Sequence, residues 1–269
     1  MKRKLVIVLT FCLLVTFILS GCNNIPTGTP FTTQAPISTS TSTTTTAPTA
    51  TPEPEPMPCN IVFESDRDGR WNIYSMAPDG SNLIQLTRDQ GDNTNPSWSP
   101  DGDKIAFVSN RPTDDQGGGG QFIYVMNADG SDAHQITYEE NCKTPDWSND
   151  YQWIAYSSNE DIYLTYWDGN KDPIKLTDSP DEDRNPVISP DGTKIAWLSG
   201  KDDYWNIFVM NLDGSDVRQI TDNGKAYNVS WTINGQLFSH WEHPDGVCQK
   251  CVMDWDGSNP KDAGGKGEL

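Results

Sequence analysis

The chain has 269 residues, with 38 acidic against 19 basic side chains and a formal net charge of −19. A protein this acidic has no electrostatic attraction to phosphate backbones, so nucleic acid is not an expected partner. Its length beyond the N-terminal segments described next is enough for one domain with a sizeable core.

The first 22 residues have the features of an export signal. Residues 2–4 are basic, residues 5–19 are almost all apolar, and the sequence Leu-Ser-Gly-Cys ends at Cys22. This order resembles a bacterial lipobox, which implies that Cys22 becomes the lipidated N-terminus of an exported, membrane-anchored lipoprotein at the cell surface or in the periplasm. The alternatives are an ordinary cleaved signal peptide with a chance cysteine, or an uncleaved anchor.

Residues 23–57 are predicted to be a linker. They are rich in Thr, Ser and Pro and offer no apolar face, so ordering them would cost entropy without burial in return. With the extended geometry that prolines favour, at ~3 Å per residue, such a tether reaches on the order of 100 Å. The remaining residues, 58–269, are predicted to form a single domain.

That domain is built from an internal repeat. Each unit has two strand-like segments, then an Asp-Gly turn, and in four units a Leu-Thr or Ile-Thr pair. The first segments are NIVFES, KIAFVS, WIAYSS, KIAWLS and QLFSHW, and the second are NIYSM, FIYVM, DIYLT, NIFVM and QKCVM. The Asp-Gly turns recur about every 43 residues, a spacing typical of four-stranded propeller blades.

A further short strand and turn precede the first segment of most units, as in NPSWSPDG and NPVISPDG. The predicted order in a unit is therefore A (around Trp98), B (Ile105–Ser109), C (Ile123–Asn127) and D (Gln135–Thr137). Asp-Gly and Asn-Gly supply the positive φ angles of tight turns. We find no amphipathic helix pattern after residue 22, so the predicted fold class is all-β, a small propeller of about five blades.

These segments closely resemble the WD40-like repeat of the TolB family, over essentially all of residues 60–257. The resemblance implies a binding propeller of the cell envelope. It does not extend to a separate N-terminal α/β domain, and the blade number is not carried over from it.

Ring closure is open at this stage. The first unit has no recognisable strand A before Ile61, and the last has no Leu-Thr strand. The closing strand could come from residues 56–60, from the tail or from a second subunit.

Strand direction places the A–B and C–D connections on one face, and the variable B–C and D–A connections on the other. Variable loops on a rigid scaffold commonly carry binding sites. The alternative is that these loops are acidic only because the whole protein is. The candidate binding residues are Trp71, Asp89, Asp92, Glu139, Glu140, Asp178, Asp181, Glu182, Asp183, Arg184 and Trp205.

No catalytic constellation is present in the sequence. It lacks a Gly-x-Ser-x-Gly elbow, and its three histidines do not form a zinc motif, so we expect no enzyme, cofactor or metal site.

Two function classes stay open. One is a module that binds a protein or envelope component of basic character, and the other is a propeller that binds or processes glycans.

Four cysteines follow the linker. An exported location favours disulfides, and the expected clasp joins Cys59 to Cys248 or Cys251, tying the terminal blades together, with Cys142 left out. A four-cysteine zinc site is a less favoured alternative.

Overall fold

A computed structural model describes residues 60–88, 91–112, 120–240 and 250–263. All regular elements in these ranges are β-strands, 19 in number. No helix in this part of the chain is long and apolar enough to cross a membrane. Residues 1–22, with the apolar run and Cys22, lie outside the described residues, as does the linker.

The strands form five antiparallel sheets in chain order. The first sheet has three strands, and the other four have four each. The strands are β1 (Ile61–Ser65), β2 (Asn72–Met76), β3 (Ile84–Gln85); β4 (Asn93–Trp98), β5 (Lys104–Ser109), β6 (Phe122–Asn127), β7 (His134–Gln135); β8 (Lys143–Trp147), β9 (Trp153–Ser158), β10 (Asp161–Tyr166), β11 (Ile174–Lys175); β12 (Glu182–Ile188), β13 (Lys194–Lys201), β14 (Tyr204–Asn211), β15 (Arg218–Gln219); and β16 (Ser230–Trp231), β17 (Leu237–His240), β18 (Lys250–Met253), β19 (Lys261–Asp262).

This arrangement confirms the predicted fold class, an all-β propeller, and the five sheets within the described ranges agree with the predicted number of about five blades. Each sheet is a meander, and the four-stranded sheets keep the expected order A, B, C, D. The predicted strands of the second unit agree with β4 to β7 within about two residues, the usual uncertainty of strand ends.

The Leu-Thr and Ile-Thr pairs have a backbone role. In four sheets the threonine hydroxyl oxygen accepts the N–H of an isoleucine in strand C at 2.9 Å. The pairs are Thr87 with Ile73, Thr137 with Ile123, Thr177 with Ile162, and Thr221 with Ile207. The hydroxyl therefore extends the pairing of strand C just beyond the end of strand D.

The Ser-Pro-Asp-Gly segments form the A–B turns. In the second sheet the Ser99 hydroxyl oxygen accepts the Lys104 N–H at 2.9 Å and donates to the Asp101 carboxylate at 2.5 Å. Gly102 then takes a φ of +75°, a left-handed conformation that favours glycine. The same serine and aspartate contacts recur at Ser148 and Ser189.

The Asn-Pro and Thr-Pro pairs mark β-bulges in strand A. The register shifts between Thr94 and Ser97 in the second sheet, and at the corresponding points of the third and fourth. The residue before the proline has positive φ each time: 49° at Asn95, 48° at Thr144 and 54° at Asn185.

Neighbouring sheets pack mainly through their A strands, which are therefore innermost. At each junction a backbone N–H near the start of strand A donates to a carbonyl near the start of strand C in the preceding sheet. These bonds are Asn93 to Trp71, Cys142 to Gln121, Asp183 to Glu160 and Ala226 to Trp205, at 2.8–3.0 Å. A repeated bond of this kind fixes the spacing between blades.

Apolar clusters fill the spaces between sheets. One cluster combines Val108 and Ile123 of the second sheet with Trp147 and Tyr156 of the third. Strand B is buried on both faces in the middle sheets, because each of these sheets is covered by two neighbours.

The first and last sheets differ from the middle sheets. The last sheet has a fourth strand, β19, which pairs with β18 through Lys261 and Asp262 although it lacks a Leu-Thr pair. The first sheet has no A strand within the described residues. Among the described strands, the first and fifth sheets share no packing comparable to that between successive sheets.

Candidate binding face

The connections between strands emerge on two opposite faces. The A–B and C–D connections form what we call the Asp-Gly face, and the B–C and D–A connections form the variable-loop face. The B–C connection of the third sheet has two residues, whereas that of the second spans residues 110–121, of which 113–119 are outside the description. The two faces therefore differ in regularity, as expected from the repeat.

A pocket of about 360 Å³ opens on the variable-loop face, where the second, third and fourth sheets meet. We call it the inter-blade pocket. It is lined by Gln121, Asn141, Lys143, Ser157, Ser158, Asn159, Glu160, Glu182 and Asp183.

The two-residue turn of the third sheet shapes this pocket. Asn159 and Glu160 both have positive φ, 47° and 71°, the conformation that a tight turn between twisted strands requires. The turn is held from both sides: the Glu160 carbonyl accepts the Asp183 N–H at 2.8 Å, and the Asn159 side chain accepts from the Asn141 amide at 2.9 Å. The Glu160 side chain is thus carried on a fixed backbone.

The pocket has an excess of negative charge. Among the described residues, the Glu160 and Glu182 carboxylates form no hydrogen bond or ion pair, although the Glu182 charge acts on the nearby Arg184 guanidinium. Lys143 is the one basic residue in the lining. Carboxylates without partners on one rim attract cations and Lys- or Arg-rich surfaces.

A second pocket, of about 440 Å³, lies on the same face at the first sheet. It is lined by Asp68, Gly69, Arg70, Asn72, Gln85 and Arg88. Beside it, the Tyr74 hydroxyl donates to Asp68 at 2.6 Å. Burial, together with that bond, raises the pKa of Tyr74 to about 12, so the hydroxyl remains a donor at neutral pH.

Three predicted loop residues belong instead to strand β12: Glu182, Asp183 and Arg184. Asp183 is 2% exposed and accepts hydrogen bonds from the Trp197 indole at 3.1 Å and the Ser179 hydroxyl at 3.2 Å. Its carboxylate is therefore occupied in holding the fourth sheet together. The prediction of a loop position was wrong because the chain pairs with β13 as soon as it reaches the inner edge of the sheet.

Trp205, one of the candidate binding residues, is buried in the structure. Only 6% of its surface is exposed, and its indole N–H donates to the Asp202 carbonyl at 2.8 Å. The Arg184 guanidinium stacks 3.3 Å from the ring centre. Burial lowers the pKa of Arg184. Arg184 and Trp205 therefore pack against each other at the variable-loop face of the fourth sheet, and the Trp205 ring does not project into solvent.

The other described candidate residues lie on the variable-loop face but do not form a single cluster. Trp71 is 41% exposed, and its backbone N–H donates to the Asp92 carboxylate at 3.3 Å. Asp178 forms an ion pair with Lys175, which lowers the pKa of the aspartate. The remaining members are Glu139 and Glu140 in the connection before β8, Asp181 before β12, and Asp89, which lies outside the described residues.

Asn159 and Glu160 were not among the residues predicted from the sequence to form a site. The signal was present, since Asn-Glu stands between two strand-like segments with only two residues to make the turn. Asparagine tolerates left-handed backbone there, and the geometry then carries Glu160 to the pocket.

On the Asp-Gly face, the turn aspartates are already engaged. The Asp79 carboxylate accepts the Ser81 N–H at 2.9 Å, and Asp129, Asp168, Asp213 and Asp256 make the equivalent contact. The hydrogen bonds from serine lower the pKa of Asp79, Asp129, Asp213 and Asp256. These carboxylates serve the turns.

The cysteines are divided between two states. Cys251 is disulfide-bonded, while Cys142 is a free, buried thiol. Burial raises the pKa of Cys142 to about 11, so it stays protonated and unreactive at neutral pH. Cys59 and Cys248, the other members of the expected clasp, lie outside the described residues. Within the described ranges, no three His, Cys, Asp or Glu side chains converge to hold a metal ion.

The fold and these pockets define a class of protein: a β-propeller of repeated Asp-Gly blades with its pockets on the variable-loop face. The TolB β-propeller (PD40) family model matches residues 30–166. The chain belongs to this family.

Individual relatives agree with this assignment. The TolB homologue of Chlorobium luteolum is 33% identical over 162 residues, which are 59% of this chain and 36% of that protein, so the chain spans about a third of its length. A TolB-like structure from Agrobacterium tumefaciens superposes with a TM-score of 0.57 at 24% identity, covering 67% of this chain and 69% of that one.

An enzyme shares the fold. The oligogalacturonate lyase of Vibrio parahaemolyticus superposes with a TM-score of 0.53 at 14% identity, covering 76% of this chain and 58% of the lyase. At this identity the likeness concerns the fold alone, so architecture does not by itself separate binding from catalysis.

Proposed function

We propose that this protein is an envelope-tethered binding module whose variable-loop face holds a protein or envelope component with a basic surface. The observation that carries the proposal is the inter-blade pocket. Its rim carries the carboxylates of Glu160 and Glu182, which form no hydrogen bond among the described residues. The backbone that carries them is held by the hydrogen bond from the Asp183 N–H to the Glu160 carbonyl. Membership of the TolB propeller family supports a binding role.

The contrast between the faces supports the assignment. Aspartates at the C–D turns of the Asp-Gly face, such as Asp129 and Asp213, use acceptor capacity on the backbone of their own turns. In the inter-blade pocket, two carboxylates without hydrogen bonds in the described part of the chain, Glu160 and Glu182, stand on one rim. Charge-assisted bonds from lysine or arginine to such carboxylates are the strong ones, and salt weakens the long-range part of the attraction.

The test compares two variants with the same change in charge. Glu160→Gln with Glu182→Gln removes the uncommitted carboxylates of the pocket. Asp103→Asn with Asp172→Asn removes two carboxylates of the Asp-Gly face that have no described side-chain partner. A partner is first captured by crosslinking in envelope extracts, and its association rate is then measured from low to high salt.

The pocket variant is expected to associate about tenfold more slowly at low salt and to show a flatter salt dependence, while the Asp-Gly variant behaves like the unaltered protein. Equal loss in both variants would show that only the overall charge matters. Loss in the Asp-Gly variant alone would reverse the assignment of the face.

The proposal includes an anchor at Cys22 and a tether over residues 23–57, ahead of a binding domain at residues 58–269. The order of basic residues, apolar run and Leu-Ser-Gly-Cys supports it. Cys22→Ser should abolish incorporation of a fatty-acid probe and release the protein from membranes. Unchanged labelling in that variant would refute lipidation at this residue.

A second candidate, glycan binding, is favoured by the first-sheet pocket. Its lining includes the polar side chains of Gln85 and Arg88, and the B–C connection that contributes Arg70 to the lining also carries the exposed Trp71. Hydrogen-bonding groups and an exposed aromatic ring are features that suit a sugar. Trp71→Ala should then lower retention on an immobilised acidic polysaccharide, whereas Tyr138→Ala, which removes another exposed ring, should not.

A further inference from the structure

The first-sheet pocket has a positively charged lining in a chain whose net charge is −19. Arg70 and Arg88 contribute two positive charges, and Asp68 is the one acidic residue among the described lining residues. Arg88 is exposed, and its guanidinium forms no hydrogen bond or ion pair within the described part of the chain. The charge of Arg88 is therefore available to a ligand.

The corresponding place in the third sheet is filled by a cation and two carboxylates. There the Lys175 Nζ forms ion pairs with Asp161, at 3.0 Å, and with Asp178. Counted from the threonine that bonds to strand C in each sheet, Gln85 and Arg88 hold the positions of Lys175 and Asp178. The first sheet thus has a cation where the third has a carboxylate, and no carboxylate of the described residues pairs with it.

Gln85 adds a second donor to the lining. In the second and fourth sheets the glutamine at this position donates its side-chain N–H to the threonine carbonyl two residues later. Gln135 donates to Thr137 at 2.6 Å, and Gln219 donates to Thr221 at 2.7 Å. The Gln85 amide makes no such bond among the described residues. Its N–H groups are therefore available for a ligand in the pocket.

Asp68 contributes an acceptor to the same lining. Its Oδ2 accepts the Tyr74 hydroxyl at 2.6 Å, whereas its Oδ1 has no hydrogen bond within the described ranges. A carboxylate oxygen left over in this way can accept a ligand hydroxyl, and it repels a ligand that is only a carboxylate. The lining therefore favours a ligand that carries an acid group and hydroxyl groups together.

We propose that the first-sheet pocket binds an acidic sugar, a hexuronate, whose carboxylate is held by Arg88 and whose hydroxyls bond to Gln85 and Asp68. The proposal rests on the glycan binding considered above, and it adds the class of sugar and the residue that selects it. A planar guanidinium can hold a carboxylate through two parallel N–H···O bonds. The pocket volume of about 440 Å³ lies within the range of small-ligand sites.

Two methyl glycosides that differ in one group test the proposal. Methyl β-D-glucuronide carries a carboxylate where methyl β-D-glucoside carries a hydroxymethyl group. Titration of the full-length protein in detergent, followed by NMR, gives the dissociation constant of each. The glucuronide is expected to bind about tenfold more tightly, because a charge-assisted pair is stronger than a neutral hydrogen bond.

Matched variants assign the preference to Arg88. Arg88→Gln should bring the ratio of the two dissociation constants to about one, and Arg88→Lys should retain part of it, because lysine keeps the charge without the planar fork. Lys201→Gln removes one positive charge from the end of β13 on the same face and should leave the ratio unchanged. An equal loss in Arg88→Gln and Lys201→Gln would contradict the proposal, since overall charge would then set the preference.

The sugars also separate the acidic-sugar proposal from glycan binding itself. Equal binding of glucuronide and glucoside to the unaltered protein would overturn the role of the carboxylate and leave glycan binding standing. Binding of neither sugar would overturn both. Hippurate carries a carboxylate but no sugar ring. If hippurate bound as tightly as the glucuronide, the site would not select a sugar, and the carboxyl terminus of a peptide would be the better ligand.

Discussion

Tyr151 occupies a backbone conformation better suited to glycine. The third A–B turn reads Ser-Asn-Asp-Tyr where the second and fourth read Ser-Pro-Asp-Gly. Tyr151 has a φ of 63°, close to the 75° of Gly102 and 71° of Gly192, and makes the same turn bond to Ser148 at 3.1 Å. A side chain in left-handed backbone costs roughly 1–2 kcal/mol, and Tyr151 is 43% exposed, so little packing offsets this.

Tyr151→Gly is therefore expected to stabilise the protein, by about 0.5–1 kcal/mol after the larger entropy of the unfolded glycine is included. Urea unfolding followed by tryptophan fluorescence measures this. Tyr227→Gly is a suitable control, because Tyr227 is also exposed and has no positive φ, and it should destabilise. Stabilisation in neither variant would show that Tyr151 gains more from its contacts than its backbone loses.

At the scale of single elements, the threonine after strand D should matter more for its oxygen than for its size. Thr137 is fully buried and its hydroxyl oxygen accepts the Ile123 N–H at 2.9 Å. Thr137→Val keeps the shape but leaves that N–H unpaired, at a cost of about 2 kcal/mol. Thr137→Ser loses a methyl group but keeps the acceptor, and should cost about 1 kcal/mol. Thermal unfolding of both variants tests the order, and a less stable serine variant would contradict it.

Strands could be predicted from the sequence where the adjoining turns contain residues with a specific backbone role. Aspartates that cap their turns, glycines with positive φ and threonines that bond to strand C can all be recognised from residue type and spacing. Strand β19 could not be predicted in this way. Lys261 and Asp262 have no strand-like pattern. They form a strand because they pair with the edge of β18, and the sequence of β19 itself does not show this. The bulges were also missed, although the Asn-Pro and Thr-Pro pairs that mark them were visible.

At the scale of the whole molecule, the division of the loops between two faces was predictable from the sequence, and the positions of the pockets were not. Alternating strand direction is enough to assign the loops to opposite faces, and both pockets described above lie on the variable-loop side. Which carboxylates remain free depends on contacts between residues distant in sequence. The Asp183 carboxylate accepts a hydrogen bond from Trp197, and Asp178 forms an ion pair with Lys175. Glu160, in contrast, is placed at the pocket by the backbone hydrogen bond between its turn and the next sheet.

Asp146 links the packing of the third and fourth sheets to pH. It lies on β8, and its carboxylate accepts the Ile188 N–H of β12 at 2.7 Å. Burial raises the pKa of Asp146 to about 7, with the backbone bonds acting in the opposite direction. Because the folded pKa is above the unfolded value of about 4, the stability from the protonated form is fully present below about pH 4 and is lost as the pH rises to about 7.

The turn aspartates have the opposite effect, because a lowered folded pKa gives stability that is present above about pH 4 and is lost as the pH falls. Asp146→Asn should therefore remove a decline of up to about 1.4 kcal/mol per pH unit between pH 4 and 7, and leave a protein at least as stable as the original at pH 8. Asp213→Asn should instead lower stability above about pH 4 and have little effect below it.

Urea unfolding at intervals from pH 3.5 to 8.5 separates these contributions from the general repulsion within a chain of charge −19, which all the variants share almost equally. A wild-type curve that stays parallel to that of Asp146→Asn across the whole range would show that this carboxyl titrates normally. The junction between β8 and β12 would then not respond to pH.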